Sequence, residues 1–236
     1  MLKISFQENN INTANLYMKE RSLARVSPLS PSVIDISGIL SPDRERVESF
    51  IRNIYRDKYG ADISVDYPVL MSVRNAHGDI LAALGFRYAE QEQLFLENYT
   101  QKPIENFVKA ERKQIVEIGN LASAGHGASI FLFAALASYL DSKGVKYATI
   151  TGTDYLHGYF KRIGLNPQEI CRADIQAVSH DGHKWGTYYD TQPRVLIGSV
   201  QTGIKRLKKA LGMKFEDCRP RLYPRLHYKN GVSDDI

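Results

Sequence analysis

The apolar positions change period along the chain, and each change predicts an element. Val47, Phe50, Ile51, Ile54 and Tyr55 recur at helical spacing behind Ser41, a capping residue, and Pro42, suited to a first helical position. They predict an amphipathic helix ending near Gly60. Segments 69–74 and 80–88 flank the turn-forming residues 75–79, the pattern of an antiparallel hairpin. A short aromatic segment at 94–99 precedes a strand at 114–122. The chain then crosses Ser123-Ala124-Gly125-His126-Gly127 into a helix over 128–142, which Gly144 can end in a left-handed conformation. A strand at 147–151 and a helix at 155–163, closed by Gly164, complete a βαβ unit and a following helix, so parallel pairing is expected there. Further strands are predicted at 174–178 and 194–200, and a basic helix at 203–211.

Residues 1–40 show no sustained period, and the Ser-Pro stretch at 27–32 reads as a linker or extended arm. The expected organisation is an arm over 1–40, a mixed α/β domain over 41–200 and a basic helix and tail over 201–236. No internal repeat is present.

With 236 residues, 43% hydrophobic and 24% charged, the chain can bury an ordinary core. The longest apolar run, 128–140, falls short of the roughly 20 residues that span a bilayer. No secretory signal pattern opens the chain, so a cytoplasmic location is expected. Cys171 and Cys218 are too few for a disulfide framework and read as free thiols. The net charge of +5 is uneven, because nine basic residues between Lys205 and Lys229 face only Glu216 and Asp217. Such a segment fits an anionic partner, whether acyl-carrier protein, nucleic acid or a membrane surface; a solvated helix and tail is the plain alternative.

The glycine-containing link between strand and helix is the most informative feature. Gly125 and Gly127 let backbone amides approach an anion at a helix start, although two such glycines also serve as a simple turn. A Walker Lys-Ser/Thr and the third glycine of a dinucleotide loop are both missing. Hairpin, strand, glycine loop, helix, strand and helix together resemble the GNAT acyltransferases, with Tyr159-Phe160-Lys161-Arg162-Ile163-Gly164-Leu165 similar to their closing helix. More specifically, Gly85-Phe86-Arg87-Tyr88, Leu94-Phe95-Leu96-Glu97-Asn98-Tyr99, the run Ile115-Val116-Glu117-Ile118-Gly119-Asn120-Leu121-Ala122 and Trp185-Gly186-Thr187-Tyr188-Tyr189 resemble the thermostable hemolysin family over about residues 43–200. A more distant likeness links Gly85-Phe86-Arg87 and residues 117–122 to the acyl-homoserine-lactone synthases, with Asn120 where their segment has arginine.

The resemblance implies a twisted mixed sheet flanked by helices, with a splayed strand pair that admits an acyl thioester, carried by acyl-carrier protein or CoA. Asn120, Leu121 and Ala122 would bind pantetheine, and the amides of Gly125, Gly127, Ala128 and Ser129 would receive phosphate. The glycine loop is shorter than the usual GNAT loop, which favours acyl-carrier protein over CoA. Phe160 occupies the position of the general-acid tyrosine and carries no proton; Tyr159 lies one residue away, about a hundred degrees around the helix.

Glu117 sits in an apolar strand, where an ionised carboxylate needs a partner such as Arg87 or a raised pKa. It is the candidate base or substrate anchor, or else half of a buried pair that orders the sheet. His126 is a candidate to polarise a thioester or meet phosphate, or a solvated loop histidine. Tyr155 and Tyr159 share a helical face, where packing is the commoner role. Trp185, Tyr188 and Tyr189 fit an acyl or amine pocket, or core packing. His180, Asp181 and His183 lack a third strong ligand, so no metal is expected. The functional expectation is N-acyl transfer to a small amine or amino-acid-like acceptor without a covalent enzyme intermediate. The alternatives are a membrane-active cytolysin, which the family name implies and the weak stripe Ile204, Leu207, Leu211 supports poorly, and a transferase binding nucleic acid or aminoacyl-tRNA through the basic segment.

Overall fold

The computed structural model describes residues 1–178 and 182–218. Its ten strands are β1 (Leu2–Glu8), β2 (Ile11–Met18), β3 (Pro31–Ser37), β4 (Val69–Asn75), β5 (Ile80–Tyr88), β6 (Ile115–Ser123), β7 (Tyr147–Gly152), β8 (Gln168–Arg172), β9 (Arg194–Ser199) and β10 (Lys214–Asp217). They form one sheet in the order β10-β2-β1-β3-β4-β5-β6-β7-β9-β8. Pairing is parallel at β1/β3 and β6/β7 and antiparallel elsewhere. The helices are α1 (Glu20–Leu23), α2 (Arg44–Tyr59), α3 (Glu97–Thr100), α4 (Ser129–Ser142), α5 (Asp154–Arg162) and α6 (Val200–Leu211).

Helix α2 buries Val47, Ile51 and Tyr55 on one face of the sheet, against Leu70, Ala83 and Ala122. On the other face α4 is buried nearly all round, from Ile130 to Leu140, as expected of a helix hydrophobic on every side. Helix α6 packs on α4 through Ile204, Leu207 and Leu211. Its apolar stripe is therefore inside the protein and unavailable to a bilayer, while Lys205, Arg206, Lys208 and Lys209 face solvent. Among the described residues no helix is long and apolar enough to cross a membrane.

The largest departure from the sequence reading is at the N-terminus. Residues 1–40 contain three strands of the main sheet in place of irregular chain. Ile4 and Phe6 in β1 and Ala14, Leu16 and Met18 in β2 alternate inward at period two, and Asn9 and Asn10 join them with φ of 51° and 63°. Paired left-handed residues are what a two-residue hairpin with native strand twist requires, and asparagine tolerates them. Pro31 occupies the first position of β3, where a strand tolerates proline.

Smaller departures have local causes. Helix α2 starts at Arg44, because the Ser41 hydroxyl is turned to the Gly38 amide and to Asn9. Segment 94–99 forms a turn and the single-turn α3. Residues Ile175–Val178 form a 3-10 turn, and the edge strand lies earlier, at β8. Helix α6 begins at Val200, capped by Ser199. Strand β10, absent from the sequence reading, pairs with β2 and brings the chain back to the N-terminal hairpin. His180, Asp181 and the basic residues Arg219, Arg221, Arg225 and Lys229 lie outside the described residues, as does the His183 side chain.

Candidate active site

Strand β6 pairs with β7 only from Ile115/Tyr147 to Ile118/Ile150. Beyond that point β6 continues along β5 to Ser123, while β7 continues along β9 to Gly152. The cause is a bulge. One residue separates Ala83 from Gly85 on β5, but two, Asn120 and Leu121, separate their partners Gly119 and Ala122 on β6, and Asn120 takes φ of 49°. The extra residue turns β6 away from its parallel neighbour.

Two cavities meet at this parting. The first, about 350 Å³, lies below α2 and is lined by Tyr67, Arg87, Phe95, Tyr99, Trp185 and Asp66, among others. The second, about 310 Å³, lies between the glycine loop and α5. Gly119, Asn120, Thr151, Tyr55 and Tyr188 border both. Asn120 Oδ1 and Thr151 Oγ1 are buried at this junction without a hydrogen-bond partner. Such groups are costly to leave unmet, and their position suits a polar ligand lying across the parting.

Glu117 is 1% exposed and borders neither cavity. Its Oε1 accepts the Leu96 amide at 2.8 Å and its Oε2 the Phe95 amide at 3.0 Å. Arg87 Nε stands 3.4 Å from Oε2. Burial pushes the carboxyl up to about 7, against the opposing pull of the Leu96 amide, Arg87 and the Phe95 amide. The carboxylate thus holds the turn that carries Phe95, and it presents Arg87 to the first cavity. That turn is fixed a second time by buried Glu97, which accepts the amides of Leu94 and Ile104 and the Arg112 guanidinium.

Arg87 lies under the ring of Tyr67, its Cζ 4.3 Å from the ring centroid. Tyr67 was absent from the sequence reading, and Gly85 and Gly119 stood there only as parts of the family-like segments, yet the three build this wall. A Cβ on Gly85 would stand 2.5 Å from Tyr67 Cβ, and one on Gly119 would overlap the ring's Oη and Cζ. The available signal was two glycines inside strand patterns, which mark a close approach of other groups. The roof of the cavity is the segment from Gly182 to Thr191. It is clamped to the end of α2 by the Thr187 amide on the Tyr59 carbonyl and to Asp62 through the Lys184 carbonyl. Trp185, Tyr188 and Tyr189 pack there on one another, with Phe95 against Trp185.

The second cavity collects most of the remaining candidates. Leu121, Gly125, His126, Gly127, Ser129 and Tyr159 line it, whereas Ala122 and Ala128 are buried behind its wall. Gly125, His126 and Gly127 have consecutive positive φ of 93°, 51° and 77°, so the loop needs its glycines for conformation. The N-terminal segment presses on it: Ser27 Oγ donates to the His126 carbonyl at 2.7 Å, and any Cβ on Gly127 would strike the Val26 carbonyl. On α5 the hundred-degree step matters. Phe160 is buried against Phe133, while Tyr159 faces the cavity with a hydroxyl pKa raised by burial.

A third cavity, about 320 Å³ and mostly apolar, lies on the opposite side of the sheet between β7, α4 and α6. Ile118 lines both it and the first cavity, and Ile150 lines both it and the second, so it adjoins the same parting. Among the described residues no cluster of metal-ligating side chains occurs.

Several solved structures share the fold at low identity. FeeM, an N-acyl amino acid synthase from uncultured soil microbes, aligns with a TM-score of 0.55 and 14% identity over 76% of this chain and 96% of its own. MesI, a CoA-dependent acyl-homoserine lactone synthase, aligns with a TM-score of 0.51 and 14% identity over 76% and 95%. BjaI, solved with SAM and isopentyl-CoA, gives 0.52 and 10% over 76% and 89%. Likeness at this identity is one of fold, here the GNAT-like mixed sheet flanked by helices. None of the curated proteins matches the sequence significantly. The family described as thermostable hemolysin matches residues 39–204, well over half of the sequence, and the chain belongs to that family.

Proposed function

We propose that this protein is an N-acyltransferase that moves an acyl group from a thioester to a small amine. The observation that carries the reading is the bulged, parted β6/β7 pair, with unpartnered Asn120 Oδ1 and Thr151 Oγ1 between two cavities. The thioester carrier enters the second cavity. Its pantetheine arm runs along Asn120 and Leu121, beside Ala122, and its phosphate meets the loop over residues 125–129, including Ala128. The acyl chain takes the third, apolar cavity, and the acceptor amine occupies the first. The amine attacks the carbonyl carbon directly, the C–S bond breaks, and the leaving sulfur takes a proton from Tyr159 Oη. That hydroxyl is protonated at neutral pH, as any tyrosine's is, and burial raises its pKa further. His126, on the loop that meets the phosphate, is a phosphate contact, and the proton that the amine gives up returns Tyr159 to its neutral form through solvent. Glu117 serves as a positioning residue, because both its oxygens are engaged by backbone amides and it borders neither cavity.

The exposed basic face of α6 supports acyl-carrier protein as donor; its Lys205, Arg206, Lys208 and Lys209 form a ready surface for an acidic partner. Work would proceed in the cytoplasm, where acyl thioesters are made. Purified protein incubated with acyl-CoA, acyl-carrier protein and a panel of amines tests the reading by intact mass and product analysis. Absence of any new amide from either donor would overturn it. Replacing the four α6 cations by alanine should slow transfer from acyl-carrier protein and spare acyl-CoA; equal rates would remove the docking role.

A further inference from the structure

Arg87 has more donor capacity than the chain uses. It is 9% exposed, its Nε has no hydrogen-bond partner, and its ion-pair contacts, Nε to Glu117 and NH1 to Glu92, are long at 3.4 and 3.3 Å. A buried guanidinium normally spends its five N–H groups on short, paired bonds. Here the group is instead fixed from behind, by the Tyr67 ring and Glu117, and lines the first cavity. Of its two anionic neighbours, Glu117 is held by backbone amides, and Glu92, with 43% of its side chain exposed, lies outside the first cavity in a separate open cleft beside Ala89 and Arg112. Glu92 is therefore the one an incoming anion can displace.

The rest of the cavity adds two constraints. Phe95, Tyr99 and Trp185 offer aromatic walls, which gain most from an apolar or aromatic side chain. Asn120 Oδ1, buried and unpartnered at the border with the second cavity, is an acceptor placed where the nucleophile must meet the thioester. A ligand satisfying all three carries a carboxylate, an apolar or aromatic body and an amine. We propose that the first cavity binds an α-amino acid with an apolar or aromatic side chain, its carboxylate on the Arg87 guanidinium and its amine toward Asn120 Oδ1. This deepens the acyl-transfer reading and rests on it for the cavity's role as acceptor site.

The test is calorimetric and needs no thioester. L-phenylalanine, tyrosine, tryptophan, leucine and methionine are titrated into the protein beside their carboxamides. A charge-assisted contact of this kind corresponds to about 10- to 100-fold in affinity. At least one amino acid is expected to bind tighter than its carboxamide by that factor, and Arg87→Gln should close the gap. Glu92→Gln, at a half-exposed position outside the cavity, should widen it by removing the competing anion. Equal binding of acid and carboxamide, no binding of any, or a gap unchanged in Glu92→Gln overturns the proposal; so does a gap that survives in folded Arg87→Gln. The two readings fail separately: carboxylate-dependent binding without any amide product sinks acyl transfer alone, and transfer to amines lacking a carboxylate sinks the amino-acid site alone.

Discussion

Gly119→Ala is the substitution whose outcome the structure specifies most closely. On an ordinary strand the change stabilises by about 0.4–1 kcal/mol, because alanine has less freedom to lose on folding. At this position the new methyl overlaps Oη and Cζ of Tyr67, whose ring is buried between Gly85 and Gly119 on one side and Arg87 on the other. Backbone φ at Gly119 is not left-handed, so the whole penalty comes from the ring. Forcing a methyl into packed space costs about 1–3 kcal/mol. Displacing the ring also weakens its contact with the Arg87 guanidinium, worth about 0.5–2 kcal/mol. After the backbone gain is subtracted, a net loss of about 2–3 kcal/mol is expected. A double-mutant cycle isolates the cause. Leucine at 67 lacks the atoms that collide, so in Tyr67→Leu the Gly119→Ala change should cost nothing or stabilise slightly, giving a coupling of about 2–3 kcal/mol. Urea unfolding of the four proteins measures it, with m-values compared to check that the transition is unchanged. An equal cost of Gly119→Ala in both backgrounds would refute the argument.

Other expectations follow from individual groups. Glu117 has a folded pKa of about 7, up from 4.5, so the unfolded chain ionises first as pH rises; wild-type stability should fall by about 3 kcal/mol between pH 4.5 and 7 on this account and level off above. Glu117→Gln, less stable at low pH because its amide nitrogen faces a backbone donor, should lack that slope, and an unchanged slope in urea midpoints would reassign it. Arg112→Ala leaves buried Glu97 without its cation and should cost about 3 kcal/mol while exposing the turn around residues 94–107 to limited proteolysis. Burial alone would raise Glu97, but its hydrogen bonds from Arg112 and backbone amides outweigh this and lower it, so its contribution is present at neutral pH and lost on acidification. Tyr159→Phe should slow thiol release from the acyl donor about 100-fold with stability nearly unchanged; full activity would remove it as proton donor.

The central elements were legible because their cues are local. The hairpin β4/β5, the order β6, glycine loop, α4, β7, α5, and the left-handed residues Gly60 and Gly144 all follow from periods and breakers within short windows. Strands β1 and β2 also carry a local cue, alternation around Asn9-Asn10, but it is short. Their place in the main sheet depends on β3 and β10, partners distant in sequence.

The site divides the same way. Glu117, Arg87, Asn120, the glycine loop and Tyr159 were named as candidates from residue type and motif likeness. Their grouping was not. Residue spacing alone cannot reveal that a bulge at Asn120 parts β6 from β7, that Tyr67 fills the space two glycines leave, or that of Tyr159 and Phe160 it is Tyr159 that lines the second cavity. Sequence by itself determined which segments form helix and strand in the middle of the chain and which side chains are candidates for chemistry, since those depend on near neighbours and residue type. Only the tertiary structure decided that Glu117 faces backbone amides while Arg87 faces the cavity, because strand register and packing across the sheet set which groups share a space.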